Sequence, residues 1–444
     1  MALSRIWAAF ILISITVAAV KYAFVPADKE VFAQMVTGKA GDSIGVVAPA
    51  APVVGTMKPV VVKQEADGLL ATATTAVTLS LGLIGVMALF MGLVSIAEAA
   101  GGMRWLARVT GPFFSKLFPD VPKGHPAMGH MVMNFSANLL GLDNAATPFA
   151  LKAMESLQEI NPDKTRASNS QIMFLCLHAS GLQVIPISVI ALRATMGAPD
   201  PTDIFIPIVI ATFITTVASM SIVAAWQRIN LFQPAVFAWV GGISLVIAGL
   251  VVYLHSLTTE HVQAFSRALS GGLILLIFFI IVGVALVRKV NIFDAFVQGA
   301  KGGFETAVRI IPYLVGMLAA ISLLRTSGTF GAVMDGIRFI FTSLGADTRF
   351  VDGLPTALIK PLTAAGARGM LVSTMSVHGA NSFAARLSGI MQGASDSTFY
   401  IVAVYFGAVG IRNTRYAIGA MLLADLVSLL SSIFLCYLFF GGTR

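Results

Sequence analysis

Apolar residues recur along the chain in uninterrupted runs of about the length that crosses a bilayer, and polar residues either separate those runs or break them beside Gly and Pro. The first run, Ile6 to Val20, follows Arg5 and is closed by Lys21 and Tyr22; with no small-x-small site ahead of Pro26 it reads as an uncleaved span. From Pro26 to Asp67, Pro, Ala, Gly and Val mix with Lys, Asp and Glu of nearly balanced sign, the pattern of an aqueous loop ordered at most in part. A long span follows from Leu69 to Ala97. After Gly101-Gly102, the basic positions Arg104, Arg108 and Lys116 alternate with Trp105, Phe113 and Leu117, which predicts a helix lying on the membrane surface up to Phe118. His130 to Ala150 is too polar and too Gly-punctuated for a plain crossing and predicts a re-entrant hairpin.

Further spans are expected at about Gln171 to Ala194, interrupted by Gly181 and Pro186, and at Ile204 to Trp226, Ala235 to Leu254 and Leu273 to Val287. A polar segment, Arg288 to Gly303, precedes a span from Val308 to Leu324. Phe330 to Leu344 reads as a second surface helix, Val351 to Val377 as a second interrupted hairpin, Leu387 to Val409 as a span broken at Gly393, and Tyr416 to Phe440 as the last span. The two halves therefore share one plan, and setting Ser168 against Ser382 places His178 opposite Gln392, Ser180 opposite Ala394 and Gln183 opposite Ser397.

Lys and Arg are retained in cytoplasmic loops, so their distribution assigns an orientation to each copy. Arg104, Arg108, Lys116, Lys123, Lys164 and Arg166 put the first hairpin on the cytoplasmic side, and counting spans onward puts the second on the outer side, with Arg412 and Arg415 back in the cytoplasm. Arg338 and Arg349 fall outside, against the rule. The second copy is thus expected to be inverted, the architecture of secondary transporters, which place their sites near the midplane at the repeat interface. The expected divisions are an N-terminal span (1–25), an extracytoplasmic loop (26–67), a first repeat (68–230), connecting spans (231–290) and a second repeat (291–444).

Composition agrees with a multi-pass protein of the inner membrane: 57% of the 444 residues are hydrophobic and only 11% charged, against roughly 25% in soluble domains. The net charge of +8 is accounted for by cytoplasmic loops and calls for no nucleic acid. Cys176 and Cys436 lie in apolar runs and imply neither disulfides nor a metal cluster.

Two sets of words are specific. Asn134-Phe-Ser-Ala-Asn-Leu-Leu-Gly-Leu-Asp143-Asn-Ala-Ala-Thr-Pro148-Phe-Ala-Leu-Lys152 resembles the signature of the spore maturation protein A family. Leu358-Ile-Lys360-Pro-Leu-Thr-Ala-Ala-Gly-Ala-Arg368-Gly, with Gln392-Gly-Ala-Ser-Asp396-Ser-Thr-Phe-Tyr400 and Ala403-Val-Tyr-Phe-Gly407, resembles spore maturation protein B. The chain looks like a fusion of the two, and both belong to the group with the nucleoside recognition, or gate, domain. That resemblance implies an all-α integral membrane protein of two inverted gate-type repeats, similar to concentrative nucleoside transporters, and fixes no substrate. The segment 26–67 departs from the pattern.

The candidate site follows from polar residues inside apolar runs. In the first hairpin, Asn134, Ser136, Asn138, Asp143, Asn144 and Thr147 would cost several kilocalories per mole if left unpaired in lipid. They either cap the half-helices, with Asp143 or Asn144 as an N-cap, or bind a ligand. In the second hairpin, Lys360 and Arg368, with Thr363 between them as a further candidate, either bridge to Asp143 or Asp396 or recognise an anionic group, to which Arg offers a bidentate fork. In the broken spans His178, Ser180 and Gln183 are set against Gln392, Ser395, Asp396, Ser397 and Thr398. Helix-to-helix hydrogen bonding accounts for Ser180 and Ser397, and a satisfied core histidine accounts for His178. Asp396 is the candidate for coupling to sodium or a proton. Asp425 reads as a structural partner of an Arg or Lys.

No phosphate loop, metal-binding His pair or nucleophile elbow occurs in its required context, and Gly101-Gly102, Gly302-Gly303 and Gly441-Gly442 read as helix ends, so neither enzymatic chemistry nor a cofactor is expected. The leading expectation is an ion-coupled transporter of a small polar or anionic solute, a nucleoside not being excluded. A non-transporting assembly or regulatory protein of envelope or spore maturation is the alternative. The spans from Ala235 to Val287, extra to the repeat plan, offer a surface for a homodimer.

Overall fold

The computed structural model describes residues 2–25, 30–37, 43–47, 61–65, 68–139, 143–183, 185–257 and 259–442. The chain opens with α1 (Ala2–Phe24), the short α2 (Val31–Thr37), and strands β1 (Ser43–Val47) and β2 (Val61–Glu65), which pair antiparallel with Gly45 opposite Lys63. The segment after α1 is therefore more structured than its composition suggests. Val31 and Met35 of α2 are buried in one cluster with Ala18 of α1 and Leu323.

The first repeat contains α3 (Leu69–Ala99), α4 (Gly102–Leu117), a hairpin of α5 (Pro126–Leu139) and α6 (Asp143–Glu159), the half-helices α7 (Asn169–Ala179) and α8 (Ile187–Thr195), and α9 (Phe205–Gln227). Helices α10 (Pro234–His255) and α11 (Thr259–Val287) connect it to the second. There α12 (Ile292–Thr326) and α13 (Thr329–Ser343) correspond to α3 and α4. A 3-10 turn (Arg349–Gly353) leads to the hairpin of α14 (Leu354–Ile359) and α15 (Ala364–His378), followed by α16 (Phe383–Gly393), α17 (Thr398–Ile401) with a π-helical turn to Phe406, and α18 (Ala417–Phe440). Among the described residues five helices, α1, α3, α9, α10 and α18, are long and apolar enough to cross a membrane.

Both repeats turn from their long helix onto their surface helix through one left-handed residue, Gly101 (φ 81°) and Gly328 (φ 78°), a conformation that penalises any Cβ. Both start their first half-helix with a serine N-cap: Ser168 Oγ accepts from Gln171 N–H and Ser382 Oγ from Ala385 N–H. The two half-helices so begun are 11 residues each, in the register that sets Ser168 against Ser382.

The copies are inverted. A Cβ placed on Gly299 would collide with Met91 O, and one on Gly303 would lie 2.7 Å from Met87 O, so α12 ascends while α3 descends. Small residues four apart let the two backbones meet in this way. Gly302-Gly303 is thus not a helix end but the middle of a packing seam, and the polar segment expected over Arg288 to Gly303 shrinks to the turn before Ile292. Asn291 caps α12, its Oδ1 accepting from Asp294 N–H at 3.4 Å, and helical bonding then carries the polar residues Gln298, Lys301 and Glu305. At 35 residues, α12 is about 52 Å long, well beyond the ~30 Å hydrocarbon layer. Arg338 and Arg349, the exceptions to the charge rule, are paired with Asp352 at 2.5 Å and Asp347 at 2.8 Å.

The repeats are tied at both ends. At the end where α9 finishes and α18 begins, called the inner end after the orientation expected from the Lys/Arg pattern, Arg412 and Asn413 N–H groups donate to Thr165 O and Ala167 N–H donates to Asn413 O. At the opposite, outer end, Asp203 accepts from Arg193 at 2.7 Å with one oxygen and from Arg386 at 2.9 Å with the other.

Candidate functional site

The two broken helices cross at their breaks. Asp396 N–H donates to Ala179 O at 2.7 Å, and a Cβ on Gly181 (φ 59°) would lie 3.5 Å from the Ser395 backbone. The half-helices stop where Gly181, Pro186 and Gly393 interrupt them, and each break leaves backbone groups that must find partners outside their own helix. The bond from Asp396 to Ala179 is one such partner. A second joins the break to the adjacent hairpin, Phe399 N–H donating to Pro361 O at 2.9 Å.

On the first-repeat side, the arms of the hairpin are joined by Asn134, whose Nδ2 donates to Ala146 O at 2.7 Å. Its Oδ1 then faces His178 Nδ1 at 3.0 Å, and Asn138 Nδ2 lies 3.0 Å from the same ring nitrogen. One nitrogen donates to the first or accepts from the second but not both at once, so the histidine's tautomer selects between two hairpin partners. The His178 ring also meets Tyr405 edge-on, with centroids 5.0 Å apart. Ser180 bonds Thr216 of α9 at 2.9 Å, the helix-to-helix role expected for it. Thr147 lies half-buried on α6 and Gln183 half-buried in the break. Asp143 and Asn144 open α6, and their side chains lie outside the described residues, as does the hairpin tip at 140–142.

On the second-repeat side, Lys360 ends α14 buried, its Nζ donating to Met391 O. Thr363 has a capping role, Oγ1 accepting from Gly366 N–H at 3.3 Å. Asp396 Oδ1 accepts from Ser397 N–H at 2.7 Å. Neither Lys360 nor Arg368 closes an ion pair with Asp396 within hydrogen-bonding reach among the described residues.

Asp425 is placed differently from its reading as a salt-bridge partner: Ser395 Oγ donates to its Oδ1 at 3.2 Å and Thr398 Oγ to its Oδ2 at 2.7 Å. It lines, with Lys360 and Ser395, a cavity of about 200 Å³ between α18 and the hairpin. The signal that marked it is the same that marked Asp396, a carboxylate inside an apolar run; its hydroxyl partners carry no such signal. Buried polar atoms without a hydrogen-bond partner among the described residues include Ser136 Oγ, Arg368 Nε, Gln392 Oε1 and Ser397 Oγ. These four belong to the two hairpins or the second break, while Ser322 Oγ, Arg338 Nε and Tyr437 Oη, also without a partner, lie elsewhere; such orphans are few in folded proteins. Some polar capacity not used by the protein itself is thus found where the broken helices and hairpins meet. For Ser397 this departs from the helix-to-helix bond expected of it.

Inverted repeats, paired hairpins and crossed broken helices define a multi-pass membrane protein of gate-type architecture. The family model described as nucleoside recognition (Gate) matches residues 80–196 and again 307–412, and the chain belongs to that family. It is similar to spore maturation protein A of Bacillus subtilis, 43% identical over 150 residues, which are 34% of this chain and 76% of that protein. It is also similar to spore maturation protein B of the same organism, 43% identical over 166 residues, 37% of this chain and 92% of that protein. The crystal structure of the Alcanivorax borkumensis YdaH transporter aligns over 99% of this chain and 98% of that one at 15% identity, with a TM-score of 0.36, too loose a likeness to carry an argument.

Proposed function

We propose that the protein is a secondary transporter of the cytoplasmic, or inner, membrane, moving a small polar or anionic solute by alternating access with coupling to sodium or protons. The observation that carries this reading is the crossing of two discontinuous helices from inverted repeats, Asp396 N–H on Ala179 O. Non-helical backbone at membrane depth is tolerated where it is buried in protein or lines a watered cavity, and half-helix ends at a repeat interface are where such transporters bind solute and ion. Asp396 is the proposed coupling group: a half-buried carboxylate in the second break, whose Oδ1 accepts from Ser397 N–H and whose hard oxygens suit sodium or a proton. The uncommitted Arg368 Nε suits an anionic group on the solute. No catalytic step enters this reading.

The test is uptake by the full chain in proteoliposomes under a sodium or proton gradient, with nucleosides, small dicarboxylates, amino acids and short peptides as the solutes supplied. Gradient-driven accumulation is expected from the wild type. Asp396→Asn is expected to keep downhill exchange and lose accumulation, whereas absence of wild-type flux for every solute would overturn the reading in favour of an assembly protein.

A further inference from the structure

Eight residues into α18, Asp425 sits about 12 Å from the helix start, at a depth where an unpaired charge is costly. It shares the cavity of about 200 Å³ with Lys360, yet the two do not close to an ion pair within 4 Å. Each is only partly satisfied. Lys360 Nζ has three protons and one acceptor, Met391 O, while each Asp425 oxygen takes a single hydroxyl. Two charges of opposite sign, Lys360 buried and Asp425 half-buried, each costly to take out of water, are thus held apart across a small space.

We infer that this cavity binds a small zwitterion with an apolar body, its anionic group on Lys360 and its ammonium on Asp425. A simple anion would gain at Lys360 but face the Asp425 carboxylate, and a simple cation would meet the converse; a ligand carrying both charges answers both walls. The remaining lining is chiefly Leu422, Leu426 and Leu429, with one further hydroxyl at Ser428. The volume lies under the roughly 300–1,000 Å³ of pockets for drug-sized ligands, which favours a body the size of an amino acid. Leu422 and Leu426 are 37% and 50% exposed on the outward face of α18, so the same chemistry has two sources: a free amino acid or the head group of an ethanolamine phospholipid. As the identity of a transported solute, this ligand class rests on the transporter reading; as a binding site it does not.

The experiment is thermal unfolding and calorimetric titration of the full chain in phosphatidylglycerol nanodiscs. Leucine is compared with N-acetylleucine, which keeps only the anion, and leucinamide, which keeps only the cation. Saturable binding of leucine, with each singly charged analogue about 30-fold weaker or worse, is expected. Binding of either analogue as tight as leucine overturns the assignment. In the other arm, phosphatidylethanolamine is added to the discs. A stabilisation that appears only there assigns the head group instead of the free solute, and no response to leucine or to ethanolamine lipid overturns the zwitterion site.

Asp425→Asn and Lys360→Gln are expected to abolish the response of the wild type. A variant pair that both melt as wild type and bind leucine unchanged would overturn it. Should either variant misfold, the wild-type analogue series still decides. Leucine binding without flux of any supplied solute in proteoliposomes would end the transporter reading and leave the site standing; sodium- or proton-coupled flux of another solute, with no zwitterion bound, would do the reverse.

Discussion

The inner and outer ends of the bundle hold the repeats together by topologically equivalent contacts built from opposite chemistry. At the inner end the loop between the first hairpin and α7 meets the loop between α17 and α18. At the outer end the loop between the second hairpin and α16 meets the loop between α8 and α9, which is the same pair of loops after inversion. The inner contact is mostly main chain: Thr165 O accepts from Arg412 and Asn413 N–H at 2.9 and 3.0 Å, and Arg412 and Asn413 are exposed. The outer contact is a desolvated ion cluster in which Arg193, Asp203 and Arg386 are 0, 2 and 3% exposed. Arg193 Nη1 also donates to Ala380 O at 2.9 Å, Arg386 Nη2 to Asn381 Oδ1 at 2.7 Å, and the Arg386 guanidinium lies 4.5 Å from the Phe440 ring. Inversion conserves which loops meet; it leaves the chemistry of each meeting to its own sequence, so one end can be far harder to open than the other.

The largest expected effect is at the outer cluster. Removing Asp203 leaves two buried guanidiniums facing each other without the carboxylate they share, and breaking a buried pair this way costs about 3–5 kcal/mol. Asp203→Ala is expected to lower stability by about that amount, read as the shift in thermal unfolding of the purified protein in detergent. A loss under roughly 1 kcal/mol, the scale of exposed pairs, would erase the contrast between the ends. At the inner end Arg415 Nη1 donates to Ala167 O at 3.1 Å and to Asn169 Oδ1 at 2.9 Å from a half-buried position. Arg415→Ala is expected to cost about 1 kcal/mol in the same measurement, the net value of ordinary hydrogen bonds.

How much of this was readable in the sequence differs between the two ends and the middle. The repeat, its inversion and the breaks were legible because Gly, Pro and the Lys/Arg bias act locally: Ser168 and Ser382 announce their half-helices in the same register. The crossing of the breaks followed from the repeat alone. The outer cluster was not legible, since Arg193 and Arg386 are separated by 193 positions of sequence and no local pattern pairs Asp203 with either. Only packing brings them together. Asp425 was visible as a charge in an apolar run, but whether it faces a cation or two hydroxyls depends on where the second break folds. The Gly299 and Gly303 seam was missed for a related reason: a glycine pair looks the same whether it ends a helix or lets another backbone approach.

A sharper comparison uses the two serine caps, one beside each clamp. Ser168 Oγ accepts from Gln171 N–H at 3.2 Å and Ser382 Oγ from Ala385 N–H at 3.1 Å. Only the inner cap is a full box, with Gln171 Oε1 accepting from Ser168 N–H at 2.9 Å. Ser168→Ala and Ser382→Ala are each expected to cost about 1 kcal/mol, because the Gln171 half of the box survives the first substitution. Unfolding shifts that differ severalfold between them would show that matched register does not mean matched energetics.

The smallest expected effect is a pH response confined to one end. Asp163 Oδ1 accepts from Thr165 N–H at 3.0 Å and from Thr165 Oγ1–H at 2.9 Å, and those bonds, the backbone one first, hold its carboxyl below the ordinary value of 3.8. A group whose folded pKa is depressed stabilises the folded form above its unfolded pKa, and that stabilisation is lost as pH falls through the folded value. Acid titration from pH 5 downward is therefore expected to loosen Thr165, and with it the acceptor of Arg412 and Asn413, only once the pH passes below about 3.8. Hydrogen exchange at the Arg412 and Asn413 amides reports it directly. Their protection is expected to fall in acid relative to Asp163→Asn, whose amide does not titrate, while the Ile208 amide near Asp203 keeps the same protection in both proteins. Equal acid sensitivity in the two proteins would remove Asp163 from the inner clamp and leave that end to main-chain bonds alone.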